Sequence, residues 1–182
     1  MTVKEKISSL KNRVQAADTE KLAFLIATFF KTGLAPKAPG TVGSLATLPL
    51  AWLLICFFGL KGLLFGILLV YIIGERSVKK TMEKTEHDPG FIVIDEVAGQ
   101  LISFIFVAEK LHTTFNPWLY LLGFIFFRLF DITKVWPANY FDGKMEDSAG
   151  VMLDDCVAGF YAAVCVGLSS LLLRGFFPSL FY

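Results

Sequence analysis

No charged side chain occurs between residues 38 and 60, and that stretch constrains the fold more than any motif does. As a helix rising about 1.5 Å per residue, it reaches across the ~30 Å hydrocarbon core of a bilayer. A span is expected to begin near Thr41, with Pro49 as a kink. Further apolar runs occupy 62–74, 91–108, 116–130 and 151–173, making five candidate spans. The run 62–74 covers only about 20 Å at helical rise, so it is short or extended by its polar flanks. A mean hydropathy of +0.62 and 19 phenylalanines agree with a membrane protein. The expected fold is all-α: a polytopic membrane helical bundle of about five hydrophobic segments, preceded by an N-terminal amphipathic helix.

That first helix is read from Ile7, Leu10 and Val14, spaced by three and four within the polar residues 1–21. The run 22–30 (LAFLIATFF) is too short to span and is expected at the interface or packed on the bundle. The length fits one domain over 1–182, with 1–31 as the amphipathic and interfacial region and 41–173 as the bundle. The polar N-terminus has no signal-peptide core, so no cleavage is expected. Cys56, Cys156 and Cys165 lie inside apolar runs without metal-ligand spacing and read as small packing residues. A net charge of +1 gives no pull toward nucleic acid.

Lys and Arg orient the bundle. With the N-terminus in the cytoplasm, residues 1–37, 75–90 and 131–150 carry thirteen of them, whereas Lys61, Lys110 and Arg174 lie on the other side. Arg128 falls in the last turn of the fourth run and can snorkel toward the cytoplasmic side.

Five carboxylates then share that face. Asp95 and Glu96 open the run 91–108, Asp131 closes 116–130, and Asp154 and Asp155 lie in the first turn of 151–173. Carboxylates at a bilayer edge are expensive to desolvate and usually have a partner or a task. Asp95, Glu96, Asp154 and Asp155 also suit helix N-termini, where an anion gains about 0.3–1 kcal/mol from the helix dipole. Asp131 does not, because at a helix C-terminus it needs a cation: Arg128, Lys134 or a metal. Gathered together, the five would make the hard oxygen cage that Mg²⁺ requires. Neighbouring carboxylates on a helix point about 100° apart, so one member of each pair can bind metal while the other positions water or a second ion.

The segment GLAPKAPGTVGS (33–44) has the composition of an irregular loop entering a helix. Gly40 and Gly43 permit unusual backbone angles, and Thr41 and Ser44 can cap the helix. Free N–H groups at such a turn suit a phosphate, with Lys37 and Lys134 adding charge; a plain helix cap explains the same residues. The loop lacks the Gly-Lys-Ser/Thr ending of a Walker motif. His87 lies in the loop before Asp95 as a turn residue, a second donor or a proton carrier, while His112 falls on the opposite face. One lone loop histidine does not make a phosphohistidine site, and no Asp-x-Asp-x-Thr loop is present. Metal-assisted chemistry on carboxylates remains.

Three stretches together resemble the phosphatidylglycerophosphatase A family: GLAPKAPGTVGSLATLP, HDPGFIVIDEVAGQ, and FRLFDITKVWPANYFD with GVMLDDCVAG. They cover about a third of the chain in the family's order. Two local departures, Lys134-Val135-Trp136-Pro137 and Asp147-Ser148-Ala149-Gly150, leave every carboxylate in place. The resemblance implies a Mg²⁺-dependent lipid phosphatase acting on phosphatidylglycerophosphate, with phosphatidylglycerol as product, in the bacterial inner membrane. It implicates Pro39, Gly40, Thr41, Gly43 and Ser44 in substrate binding, and Asp95, Glu96, Asp131, Asp154 and Asp155 as metal-binding and catalytic residues with His87 and Lys134. Attack by water or by a carboxylate is equally compatible with these residues. The active site is expected on the cytoplasmic face, against membrane lipids. Two other classes stay open: a divalent-cation transporter, which also uses intramembrane carboxylates but deeper in the bilayer and often in repeated halves, and a non-enzymatic membrane scaffold, which needs no such cluster.

Overall fold

The computed structural model describes residues 21–83, 89–138, 140 and 147–176, and among these every regular element is helical. The amphipathic helix expected within residues 1–20, and His87, lie outside the described residues. The helices are α1 (Lys21–Ala27), α2 (Pro39–Met82), α3 (Ile94–Ile102), α4 (Ala108–Thr113), α5 (Pro117–Thr133) and α6 (Ser148–Phe176).

Helix α2 is long enough to need explaining. Its 44 residues would extend about 66 Å if straight, more than twice a bilayer core. Instead the chain folds back at Gly59, whose φ of 58° and ψ of −149° are open to glycine alone. A Cβ on Gly66 would stand 2.5 Å from Leu54 Cδ1, although twelve residues of straight helix would separate the two by about 18 Å. The two legs, 39–58 and 60–82, therefore lie side by side as a hairpin. Pro49, expected as a kink, lies inside the first leg, and the reversal itself is at Gly59.

The far end of the hairpin is held by α4. Glu109 Oε1 accepts the Leu60 amide at 3.2 Å, and His112 Nδ1 sits 2.7 Å from the Ile55 carbonyl oxygen. Lys110 Nζ donates to Ser170 Oγ at 3.1 Å, tying α6 to the same end. His112 thus fastens the turn opposite the carboxylates. At the other end the Val93 amide donates to the Ala27 carbonyl (2.9 Å), and Ser148 Oγ donates to Glu75 Oε1 (2.7 Å). The run 22–30 packs on the bundle through Ala23, Phe24 and Ala27 of α1.

Among the described residues, two helices are long and apolar enough to cross a membrane: α2, and α6 over Ser148–Leu173. The sequence pattern suggested five. The difference is clearest at 91–108, which is not one helix but α3, a 3₁₀ turn (Ile105–Val107) and the start of α4. Phe91, Val93, Val97, Leu101 and Phe104 are all fully buried. Its apolarity therefore reflects a place inside the bundle, where the other helices replace lipid. The hairpin and α6, by contrast, turn Phe57, Phe58, Phe65, Leu68, Leu171 and Leu172 outward. The three cysteines are free thiols.

Candidate active site

The site is set by how closely two helices approach. A Cβ on Gly159 would stand 2.2 Å from the Gly99 carbonyl oxygen, and one on Gly99 would stand 2.5 Å from the Asp155 carbonyl oxygen. Only glycine allows α3 and α6 to cross at this distance, the small-residue contact familiar between membrane helices. Each glycine follows an aspartate by four residues, one helical turn: Asp95 before Gly99 and Asp155 before Gly159. The crossing therefore brings the two aspartates together. Oxygens of Asp95, Glu96 and Asp155 all lie within 4.8 Å of one another.

Around this trio the remaining carboxylates divide. Asp131, at the end of α5, is buried and pairs with Arg128 Nη1 at 2.6 Å. The same guanidinium nitrogen is 3.9 Å from Glu96 Oε1 and 3.5 Å from Ser44 Oγ. Arg128 therefore bridges Asp131 to Glu96 of the trio. Asp154 turns aside: one oxygen pairs with Lys134 Nζ and the other accepts the Asp155 amide at 2.9 Å. Lys134 reaches it from a left-handed C-cap of α5, with φ of 46°. The pair at 154–155 thus splits its contacts, whereas Asp95 and Glu96 both join the trio.

The segment 33–44 is less of a loop than its composition suggests. Helix α2 already begins at Pro39, after the left-handed residue Ala38, and Ala38 provides no side-chain cap. Thr41 and Ser44 lie inside the helix and do not cap it; Ser44 Oγ donates to the Gly40 carbonyl at 2.8 Å. Gly40 faces the site. A Cβ there would fall 2.0 Å from Glu96 Oε1 and 3.1 Å from Arg128 Nη1. Gly43 packs on Val93, the residue before α3. Lys37 is exposed ahead of the helix and is not joined to the trio by any ion pair or hydrogen bond among the described residues. Pro39 and Thr41 are half-buried in the first turn, where backbone N–H groups have no carbonyl within the helix to reach.

Charge and hydrogen bonding say what this arrangement can hold. Five carboxylates stand beside two cations, Arg128 and Lys134. Glu96 Oε2 is buried without a hydrogen-bond partner, as are Gln100 Oε1 one turn further along α3 and Arg128 Nε. Acceptors without donors, all of them oxygen and net anionic, form the donor set of a hard divalent cation. An unfilled guanidinium N–H beside them suits an anion such as a phosphate oxygen.

Arg128, Gly99 and Gly159 were not among the site residues expected from sequence. Arg128 was visible as the one charged residue inside the run 116–130, a turn before Asp131. The glycines carried a clearer signal. Residues 95–99 read Asp-Glu-Val-Ala-Gly and residues 155–159 read Asp-Cys-Val-Ala-Gly, a five-residue echo sixty positions apart.

The sequence profile of the family described as phosphatidylglycerophosphatase A matches residues 25–170. The Haemophilus influenzae phosphatidylglycerophosphatase A is 38% identical over 143 residues, 78% of this chain and 85% of that protein. The Escherichia coli phosphatidylglycerophosphatase A is 36% identical over 141 residues, 76% and 78% of the two chains. A Bacteroides thetaiotaomicron protein, named provisionally as a phosphatidylinositol-3-phosphatase, is 30% identical over 156 residues, 81% and 93% of the two. No solved structure matches the chain. With the profile spanning the helices that build the site, the chain belongs to the phosphatidylglycerophosphatase A family.

Proposed function

We propose that this protein hydrolyses the terminal phosphate monoester of phosphatidylglycerophosphate, releasing phosphatidylglycerol and phosphate at the cytoplasmic face of a bacterial inner membrane. The observation that carries the reading is the meeting of Asp95, Glu96 and Asp155 within 4.8 Å beside Arg128, in a chain of that family. Asp95, Glu96 and Asp155 would hold Mg²⁺, with Asp131 and Asp154 at its margin. Bound there, the ion would polarise a phosphate oxygen and acidify water.

The chain's own groups do the rest. Arg128 offsets phosphate charge, and Asp131 holds the guanidinium in place by its 2.6 Å contact. Amides of Gly40 and Thr41, in the first turn of α2, offer donors to the same anion. Gly40 has no side chain, which leaves that approach open next to Glu96. Lys134 balances Asp154, so that the net negative charge stays concentrated on the trio. The site lies at the end of the bundle away from Gly59, as a headgroup enzyme needs and a transport path does not.

The bundle is proposed to cross the membrane five times. The two legs of α2, then α5 and α6, face lipid, while 91–113 crosses inside them as a broken, buried segment. Contacts at both of its ends support this: Val93 with Ala27 near the site, and Glu109 with Leu60 at the hairpin turn. The excess of Lys and Arg at the site end supports a cytoplasmic position for that end.

Purified protein assayed for phosphate release tests the activity. Release from phosphatidylglycerophosphate that requires Mg²⁺ and stops with chelator is expected. Release from phosphatidylinositol 3-phosphate in its place would move the substrate toward that of the Bacteroides relative, and release from neither would overturn the phosphatase reading. Cysteines placed at Lys61 and Lys79, in a background lacking Cys56, Cys156 and Cys165, test the topology. Only the one at position 61 should label from outside intact cells.

A further inference from the structure

We propose that a second, non-catalytic site on this protein binds an anionic phospholipid in a groove between α1 and the second leg of α2. The groove has two stretches that share Ile26 and Ile73. The first, about 480 Å³, is lined by Lys21, Arg76, Ser77 and Lys80 around those residues. The second, about 290 Å³, has entirely apolar walls that include Phe30, Leu54, Leu69 and Ile94. None of Asp95, Glu96, Asp131 and Asp155 lines either stretch.

The sequence of α2 explains the two halves. Leu69, Ile73, Arg76 and Lys80 are spaced by four, three and four, and so form one stripe along the helix. Over about 16 Å the stripe changes from apolar to cationic. Helix α1 runs alongside with the same polarity, Lys21 at its outer end and Ile26 deeper. A phospholipid has this profile: an anionic phosphate at the level of the cations and an acyl chain beside the apolar wall. Lys21, Arg76 and Lys80 are all exposed, so a headgroup can reach them without repacking the core. A zwitterionic lipid would match the chain but not the three positive charges. Charge complementarity therefore selects an anionic lipid, and phosphatidylglycerol is a suitable probe. The inference does not depend on the phosphatase reading, since it concerns binding in the absence of turnover.

Native mass spectrometry of the full-length protein, with dioleoyl phosphatidylglycerol and dioleoyl phosphatidylcholine in competition, tests it. The wild type should retain phosphatidylglycerol preferentially. Each of K21Q, R76Q and K80Q should lower that preference by about fivefold, the effect of one basic residue beside an anionic lipid surface. K21R/R76K/K80R should preserve it. I73W, which fills the junction of the two stretches, should release both lipids. D95N/D155N should leave retention unchanged. Equal retention of the two lipids by the wild type would overturn the proposal without any variant. So would a preference that survives K21Q/R76Q/K80Q, or one that disappears in D95N/D155N, because the lipid would then sit at the carboxylate trio.

Discussion

Helices α3 and α6 contain nearly the same five residues, Asp-Glu-Val-Ala-Gly and Asp-Cys-Val-Ala-Gly, and the structure uses them differently. In both, the glycine is the crossing point and the aspartate one turn earlier is delivered to the other helix. α3 has nine residues, with Asp95 and Glu96 in its first turn, and both belong to the trio. α6 has 29 residues and is apolar enough to cross a bilayer over most of its length. There only Asp155 faces the trio; Cys156 takes the position equivalent to Glu96, and Asp154 turns to Lys134. A short internal helix thus carries two carboxylates of the trio and a long outer helix carries one. The glycine sets where the helices meet, while the residue beside the aspartate sets how many carboxylates each helix contributes.

The strongest way to break the equivalence is at the aspartates. Asp95→Asn and Asp155→Asn keep size and remove charge, and each should lower phosphate release by at least about 10²-fold, the lower end of what losing acid–base or metal assistance costs. The two losses should be similar. A mutant at either position that turns over near the wild-type rate would show that the two aspartates are not counterparts.

Next comes the crossing itself. Gly159→Ala places a methyl 2.2 Å from a backbone carbonyl, which cannot swing away as a side chain can. The helices must part, at about 1–3 kcal/mol, typical of overpacking. Melting temperature and activity should both fall although no carboxylate has changed. Gly167→Ala, further along α6, meets only Phe106 at 3.3 Å and should be mild in both measurements. Equal behaviour of the two alanines would mean that close approach at Gly99 does not organise the site.

Sequence alone carried part of this arrangement. The placement of acidic residues at the ends of apolar runs pointed to the carboxylate positions, because charge at a membrane edge is rare enough to be informative. It could not divide Asp154 from Asp155, since which neighbour faces inward depends on the rotation of α6 against α3. Hydropathy could not separate lipid-facing from protein-buried segments either: 91–108 is as apolar as a span because bundle interior and bilayer both exclude water. Pro49 drew attention as a kink, whereas the reversal occurs at Gly59, where the backbone angles rather than a missing N–H are decisive. Arg128 read as a snorkelling residue, yet its side chain is only 16% exposed and lies among Asp131, Glu96 and Ser44.

Arg128 and Asp131 lie outside the five-residue pair, so they test how far the site extends beyond it. Asp131→Asn removes the closer partner of a half-buried guanidinium and leaves Glu96 to hold it. Phosphate release should fall by about tenfold, roughly 1.4 kcal/mol, which is less than at Asp95 or Asp155. Stability should fall as well, because a half-buried cation loses the closer of its two counter-charges. The helix dipole alone predicts the opposite sign, since an anion at a C-terminus is repelled by it. The 2.6 Å contact decides for the ion pair, and a melting temperature that rises in Asp131→Asn would reverse that judgement.

The smallest effect should come from the position where the two helices differ. Cys156 occupies in α6 the place that Glu96 occupies in α3, yet it packs against the apolar core and does not join the trio. Cys156→Ala removes only a small half-buried thiol. Activity should stay within about twofold, corresponding to the few tenths of a kcal/mol typical of substitutions away from a special contact. Glu96→Gln at the matching position should behave like the aspartate variants, because Glu96 Oε2 is a buried acceptor and the glutamine can place an N–H donor against its anionic neighbours. Measured side by side, the two substitutions isolate the residue next to the aspartate while the Asp-x-Val-Ala-Gly frame stays intact. A large loss in Cys156→Ala would place the α6 thiol in the chemistry and make the two helices true equivalents. A small loss in Glu96→Gln would reduce α3 to one essential ligand, and the asymmetry between the helices would then be a matter of packing alone.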